Sequence, residues 1–299
     1  MAVLRLTREF IILKEGQRIQ TVAEYSKKLG LGRGTIQTAL QYLENTGAIK
    51  LEVKGHLGTY IESMNYRKLW EISGLGSITG VMPLPYSRRY EGLATGFYMA
   101  FEKASIQFNM AYMRGGNKRV ETLLQGKYDF AVMSKLAADT MLQSCDDVEV
   151  ALVLDSYSFV KGHRVLFADS GKAEINDGMR IGIDSSSIDI AVLVRHECEG
   201  KNVEYVELTY NQILKSLQDK KIDAAVWSID EIEDRNLSIP FGELKSSKLK
   251  HFDSSNTKAA IVVKKSNWGI SSLIKHVINR DYIVSIQNQV LEGKMLPRY

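Results

Sequence analysis

Cysteine is scarce: the 299 residues hold two, Cys145 and Cys198, far apart and with no further thiol beside either. They offer no disulfide framework and suit a reducing compartment. Long apolar runs are missing as well. No stretch approaches the roughly 18 to 20 apolar residues that span a bilayer, and Arg5, Arg8, Glu9, Lys14, Glu15 and Arg18 punctuate the opening segment, which argues against a secretory leader. The chain reads as cytoplasmic, with no membrane partner.

Signatures of catalysis are missing too, since the sequence holds no Walker P-loop, no GxSxG elbow and no HExxH pair. The glycines of Gly74-Leu75-Gly76-Ser77-Ile78-Thr79-Gly80 precede their strand instead of following it, which is the wrong context for a dinucleotide. His196-Glu197-Cys198 is the densest set of metal-ligand types. Three consecutive side chains on a helix fan out over different faces and cannot close on one ion. No cofactor, no metal and no enzymatic activity are expected.

What is present is a globular composition, 44% hydrophobic and 25% charged, with ample material for a core. The length exceeds one ordinary domain of about 100 to 150 residues. Charge is uneven: residues 1–68 carry eleven Lys or Arg against six Asp or Glu, or +5, so the other 231 residues sum to −1 of the net +4. An excess of that kind in a small segment would attract a polyanion.

Thr21-Val22-Ala23-Glu24 has the form of a capping box, which starts a helix near Val22. That helix carries Val22, Tyr25 and Leu29 at helical spacing and stops at Gly30. A second begins near Arg33, with Ile36, Ala39, Leu40 and Leu43 on one face and Gly47 as its stop. Its opposite face holds Arg33, Thr35, Gln37, Thr38 and Gln41, all able to donate to a phosphate or a base edge. The period then changes from helical to alternating. Ile49, Leu51 and Val53 alternate with charged residues up to Lys54, a Gly55-His56-Leu57-Gly58 turn follows, and Thr59-Tyr60-Ile61 completes a hairpin. This order describes a winged helix-turn-helix, and periodicity alone also admits a small cap with a merely solvated polar helix.

The run Ile19 to Ile61 resembles the DNA-binding domain of the GntR family, with Arg33, Thr35, Gly47, Gly58, Thr59 and Tyr60 on that family's pattern. The likeness implies that Arg33 and Thr35 hold backbone and bases at the start of the recognition helix. It also implies that Gly58 lets the wing approach the minor groove, beside Lys54 and His56. Gly32 stands where serine is usual, Gln37 where a second arginine is common, and His56 near a usual glycine. These departures leave the operator sequence open.

Beyond a polar glycine stretch at Ser73 to Ser77, strands and helices alternate: Ser77–Met82, Tyr90–Glu102, Ile106–Met113, Lys118–Gln125 and Tyr128–Met133, then again from Met179 to Ser228. Parallel βαβ units are the expectation. One phrase occurs twice, as Leu124-Gln125-Gly126-Lys127-Tyr128-Asp129-Phe130 and Leu217-Gln218-Asp219-Lys220-Lys221-Ile222-Asp223. Two similar lobes follow from it.

This halving resembles the type II periplasmic-binding-protein fold, also the effector domain of LysR-type regulators. The whole arrangement is similar to the YhfZ family of regulators over the full chain, a likeness that implies fold and a regulatory role but no ligand. The expected fold is therefore α/β, a winged helix-turn-helix at 1–70 followed by a two-lobed domain at 76–299, with lobe I at 76–155 and 252–299 and lobe II at 159–250. Ligands of such sheets sit at strand C-termini between the lobes. That rule selects Pro85, Tyr86, Ser87 and Arg88; Arg114, Gly115 and Gly116; Ser134; Ser185, Ser186 and Ser187; and Trp227. These loops contain no carboxylate, so a small polar or anionic effector is favoured, gripped by Arg114 and the start of the helix after Ser187. The serines also suit a plain N-cap, Arg114 a solvated surface, and Trp227 a core position. The expected protein is a regulator that binds double-stranded DNA as a homodimer. An enzyme on the same body, or a module acting on a partner protein, are the other readings.

Overall fold

A computed structural model describes residues 1–246 and 255–299. Helices α1 (Ala2–Phe10), α2 (Val22–Leu29) and α3 (Arg33–Asn45) precede a hairpin of β1 (Ile49–Val53) and β2 (Thr59–Met64). The capping box forms as the residues dictate: Thr21 Oγ1 accepts from the Glu24 amide at 3.2 Å while the Glu24 carboxylate accepts from the Thr21 amide at 2.7 Å. Gly30 closes α2 at φ 64°, in the left-handed region where glycine is unstrained. Ile36, Ala39 and Leu43 of α3 are buried. Sequence reading did not anticipate α1, a nine-residue helix with no side-chain cap. It forms because Leu6 and Phe10 are fully buried in the head's core, with Phe10 stacked on Tyr25. Arg18 also bridges to Tyr60, which adds a third extended segment beside the hairpin.

The glycine stretch is shorter than a linker. Asn65 caps α4 (Tyr66–Ser73) by accepting from the Lys68 amide, and α4 buries Leu69 and Trp70. Trp70 Nε1 donates to the Gly76 carbonyl at 2.6 Å. One apolar cluster consequently runs from Leu6 and Phe10 through Leu69 and Trp70 to Ile78 and Phe97.

The body continues as β3 (Ile78–Met82), α5 (Arg88–Lys103), β4 (Phe108–Tyr112), α6 (Gly116–Leu124), β5 (Phe130–Ser134), α7 (Lys135–Leu142) and β6 (Val148–Val153). The chain then crosses to β7 (His163–Phe167), β8 (Arg180–Ile183), α8 (Ile188–Glu197), β9 (Glu204–Glu207), α9 (Tyr210–Gln218), β10 (Ala224–Ser228), α10 (Ile229–Asp234) and β11 (Phe241–Gly242). It returns through β12 (Ala259–Lys264) to the helices α11 (Trp268–Val277) and α12 (Arg280–Leu291). Two five-stranded sheets result, ordered β4-β3-β5-β12-β6 and β11-β7-β10-β8-β9.

The expected βαβ units are present, with β3 parallel to β4 and β5, and β8 parallel to β9 and β10. The sheets are nevertheless mixed. β7 runs antiparallel to β10, and β12 antiparallel to β5 and β6. Each is the first strand after a crossing between sheets, so it enters without the helical crossover that keeps neighbours parallel.

The repeated phrase has a structural job. Asp129 accepts from the Thr79 amide at 2.8 Å and Asp223 from the Arg180 amide at 2.8 Å, so each aspartate pins the first residues of the adjacent parallel strand. The crossings run side by side: the Leu154 amide donates to Ala259 O and the Phe159 amide to Thr257 O, both at 2.8 Å. The expected return of the chain near 250–252 lies outside the described residues.

Candidate functional site

Two surfaces carry the chemistry. On the head, Arg33, Thr35, Gln37, Thr38 and Gln41 are all exposed along one side of α3, because the buried stripe of Ile36, Ala39 and Leu43 takes the opposite side. Thr38 Oγ1 donates to Gly34 O and keeps its lone pairs free. At the wing, Lys54 lies over the Tyr60 ring at 5.1 Å and pairs with Glu52 at 3.0 Å, and His56 is exposed. Gly58 sits at φ 97°, and a Cβ there would come within 2.6 Å of Arg18 Nε. Its glycine is therefore needed to seat Arg18 against the wing. Arg18 is itself exposed, and its position depends on the bridge to Tyr60, which no periodicity in the sequence signals.

The second surface is a pocket of about 70 Å³ between the two sheets. Lobe I contributes Tyr86, Ser87 and Tyr90 from the start of α5, and Arg114, Gly115, Gly116 and Arg119 from the start of α6. Lobe II contributes Ser187, Asp189, Tyr210, Ser228 and Glu231, with Phe159 and Val160 lining it from the crossing. The lobes touch directly. Arg114 Nη1 donates to Asn211 Oδ1 at 3.1 Å and its Nη2 lies 3.7 Å from Asp184. Arg89 Nε donates to Asp230 Oδ1 at 2.7 Å, and the Arg88 amide donates to Asp234 at 2.7 Å.

Burial sets the electrostatics inside. Arg119 is 6% exposed; its Nη1 donates to Met113 O at 2.9 Å, while its Nε has no partner. Loss of water pulls its pKa down to about 10, against the pull of Asp189. Glu231 is 3% exposed. One carboxylate oxygen accepts from the Tyr210 hydroxyl at 2.6 Å, and the other has no hydrogen bond, with Arg235 at 3.8 Å. Burial pushes this carboxyl up to about 7, the Tyr210 hydrogen bond opposing it. Behind the wall Tyr210 stacks on Trp227 at 3.9 Å and meets Tyr86 at 5.6 Å.

Of the residues selected from the sequence, Tyr86, Ser87, Arg114, Gly115, Gly116 and Ser187 meet at this pocket. The rest lie elsewhere. Pro85 is adjacent but outside the lining, and Arg88 is exposed, its Nη2 donating to Val290 O at 2.9 Å. Ser134 is a buried cap that accepts from the Ala137 amide. Ser185 donates to Glu207 and Ser186 to Asp184, and Trp227 supports Tyr210 from behind. Sequence reasoning passed over Tyr90, Arg119, Asp189, Tyr210 and Glu231. Arg119, Asp189 and Glu231 sit within the opening turns of helices whose preceding loops had been selected, so extending the strand-end rule by one helical turn would have found them. The pocket therefore holds carboxylates where the loops alone held none.

A helix-turn-helix head on a two-lobed α/β body defines the class: the body has the fold of periplasmic binding proteins. The aliphatic sulphonate binding protein SsuA from Escherichia coli shares that fold at a TM-score of 0.56, with 11% identity over 73% of this chain and 75% of its own. The family model of a helix-turn-helix domain matches residues 14–61, and that of the YhfZ C-terminal domain matches residues 65–299. The chain belongs to the YhfZ family. It is 29% identical to protein YhfZ of Escherichia coli (strain K12) over 100% of this chain and 97% of that one. The crystal structure of YhfZ from Shigella flexneri is similar at a TM-score of 0.64 and 30% identity, covering 78% of this chain and 97% of that one. Among the described residues no helix is long and apolar enough to cross a membrane.

Proposed function

We propose that this chain is a ligand-responsive transcriptional regulator, active as a homodimer in the cytoplasm. Its head, residues 1–70, binds duplex DNA, and a small polar effector closes lobe I (76–155 and 252–299) on lobe II (159–250). The observation that carries the reading is the exposed set of Arg33, Thr35, Gln37, Thr38 and Gln41 on a helix whose opposite side is buried. A face of that kind is suited to the major groove, with Lys54, His56 and Gly58 at the flanking backbone. Its likeness to the GntR pattern supports the same assignment.

Coupling between the two parts runs through α4. Tyr66 donates to Leu13 O in the head at 3.1 Å and stacks on His276 of the body at 3.5 Å between ring centres. A shift of lobe I on closure is thereby transmitted to the head through packed side chains. Binding of the full chain to DNA from upstream of its own gene, and selection from genomic fragments, tests the reading. A preferred duplex bound by a dimer, with affinity falling steeply with salt, is the expected result. Folded protein that prefers no duplex over non-specific DNA would remove the regulator assignment.

A further inference from the structure

We propose that the interlobe pocket takes a small zwitterion of the amino-acid kind, its carboxylate facing Arg119 and its protonated amine facing Asp189 and Glu231. This rests on the reading of the pocket as the effector site and names the effector's class. Two observations carry it. Arg119 and Glu231 line the pocket, and Arg119 Nε, a donor on a cation, and Glu231 Oε2, an acceptor on a carboxylate, are buried without a hydrogen-bond partner, as is Arg114 Nε. Burying charged groups with unmet hydrogen-bonding capacity is costly, so such atoms in a cavity wall point to what the cavity receives.

The charges of the wall decide between ligand classes. Arg114, 3.7 Å from Asp184 on the other lobe, also lines the pocket with its Nε buried and without a hydrogen-bond partner. The pocket thus sets two guanidinium groups of lobe I, Arg114 and Arg119, opposite two carboxyl groups of lobe II, Asp189 and Glu231, the latter with Arg235 at 3.8 Å behind it. A plain anion would satisfy the guanidinium groups and leave Asp189 and Glu231 without a donor or cation, and a plain amine would meet the reverse. A molecule with both ends satisfies each wall and ties one lobe to the other. The start of α6 at Gly115 and Gly116, which lines the pocket beside Arg119, adds free amides on the anion's side. Tyr86, Tyr90 and Tyr210 give the amine aromatic rings to approach.

Thermal shift and calorimetry on the full chain test this with the proteinogenic L-amino acids as probes. Valine is run against isobutylamine and isovalerate, alanine against ethylamine and propionate, and inorganic phosphate serves as the free anion. The expected result is that at least one amino acid raises the melting temperature by several degrees while its matched amine and acid do not. Glu231→Gln and Arg119→Lys should each weaken that amino acid roughly thirtyfold or more, since each leaves a buried partner unpaired. If Arg119→Lys does not fold, Glu231→Gln decides alone. Stabilisation by phosphate or simple carboxylates that equals the amino acids overturns the zwitterion and leaves the pocket as an anion site. Stabilisation that survives the substitutions, or silence across all amino acids, overturns it as well. The regulator reading stands or falls separately on the DNA-binding assay.

Discussion

The exposed face of α3 and the pocket between the lobes are both sets of hydrogen-bonding side chains, yet they work in opposite surroundings. On α3 the donors are hydrated, any Coulomb attraction is screened by salt, and no side chain of the face is required by the fold. In the pocket Arg119 and Glu231 have given up water without full replacement, so their charges are coupled to folding as well as to binding. A surface site is tuned residue by residue at little cost in stability. A buried one shares its residues with the core, and changing it changes both.

The contrast is broken most directly at Trp227. This residue is 1% exposed and holds Tyr210 in the pocket wall by stacking at 3.9 Å. Trp227→Ala should destabilise the protein by about 3–5 kcal/mol in urea unfolding, whereas Gln41→Ala on α3 should stay within about 0.5 kcal/mol. Equal effects from the two would show that the wall is not supported by the core.

Glu231 gives the next largest effect, and one that depends on pH. Its neighbours are Tyr210, Asp230, Asp234 and Arg235. Burial raises the carboxyl from its ordinary 4.5 to about 7, so the fold holds a proton that the unfolded chain releases. The protonated carboxyl is fully tolerated below pH 4.5, and stability is lost as pH rises from there through 7. Above that the loss is about 3 kcal/mol. Without ligand, Glu231→Gln should therefore raise the melting temperature at pH 8 and flatten its fall between pH 5 and 7. A variant whose pH profile superimposes on the original would mean that Glu231 is hydrated.

Arg33→Ala sharpens the other side of the comparison. Operator affinity should drop by about 1–3 kcal/mol, and the melting temperature should not move because Arg33 is exposed. Fluorescence anisotropy at several salt concentrations checks both the loss and a reduced salt slope. An unchanged operator affinity would take α3 out of the groove. The smallest effect belongs to Gly58→Ala, which forces a φ of 97° and pushes Arg18 aside. It should cost about 1 kcal/mol of head stability and weaken DNA binding slightly through the displaced Arg18. No loss in either would mean that the wing tip relaxes freely.

Legibility follows the same division. Thr21, Glu24 and Gly30 act within a few residues of one another, so the cap and stop of α2 are written locally, as is the hairpin around Gly58. Asp129 and Asp223 advertised the two lobes because each repeats the same local phrase before its strand. By contrast α1 exists for the sake of Leu6 and Phe10 meeting Tyr25 and α3, which is a tertiary reason. The antiparallel β7 and β12 follow from how the chain crosses between sheets, and nothing in their own residues announces direction. Tyr86 and Arg114 reached the pocket because strand-end rules point there, while Arg88, a neighbour of the first, turned instead to Val290 and Asp234.

The sequence by itself determined the helix-turn-helix and its wing, the alternation of strands and helices, and the presence of two related lobes. All of these rest on short-range spacing and on capping and turn chemistry. Only the tertiary structure decided that Arg119, Asp189 and Glu231 share one cavity. They lie on three helices from two lobes, and what gives them their chemistry is the loss of water where those lobes meet, a property of the packed molecule that no local pattern of residues encodes.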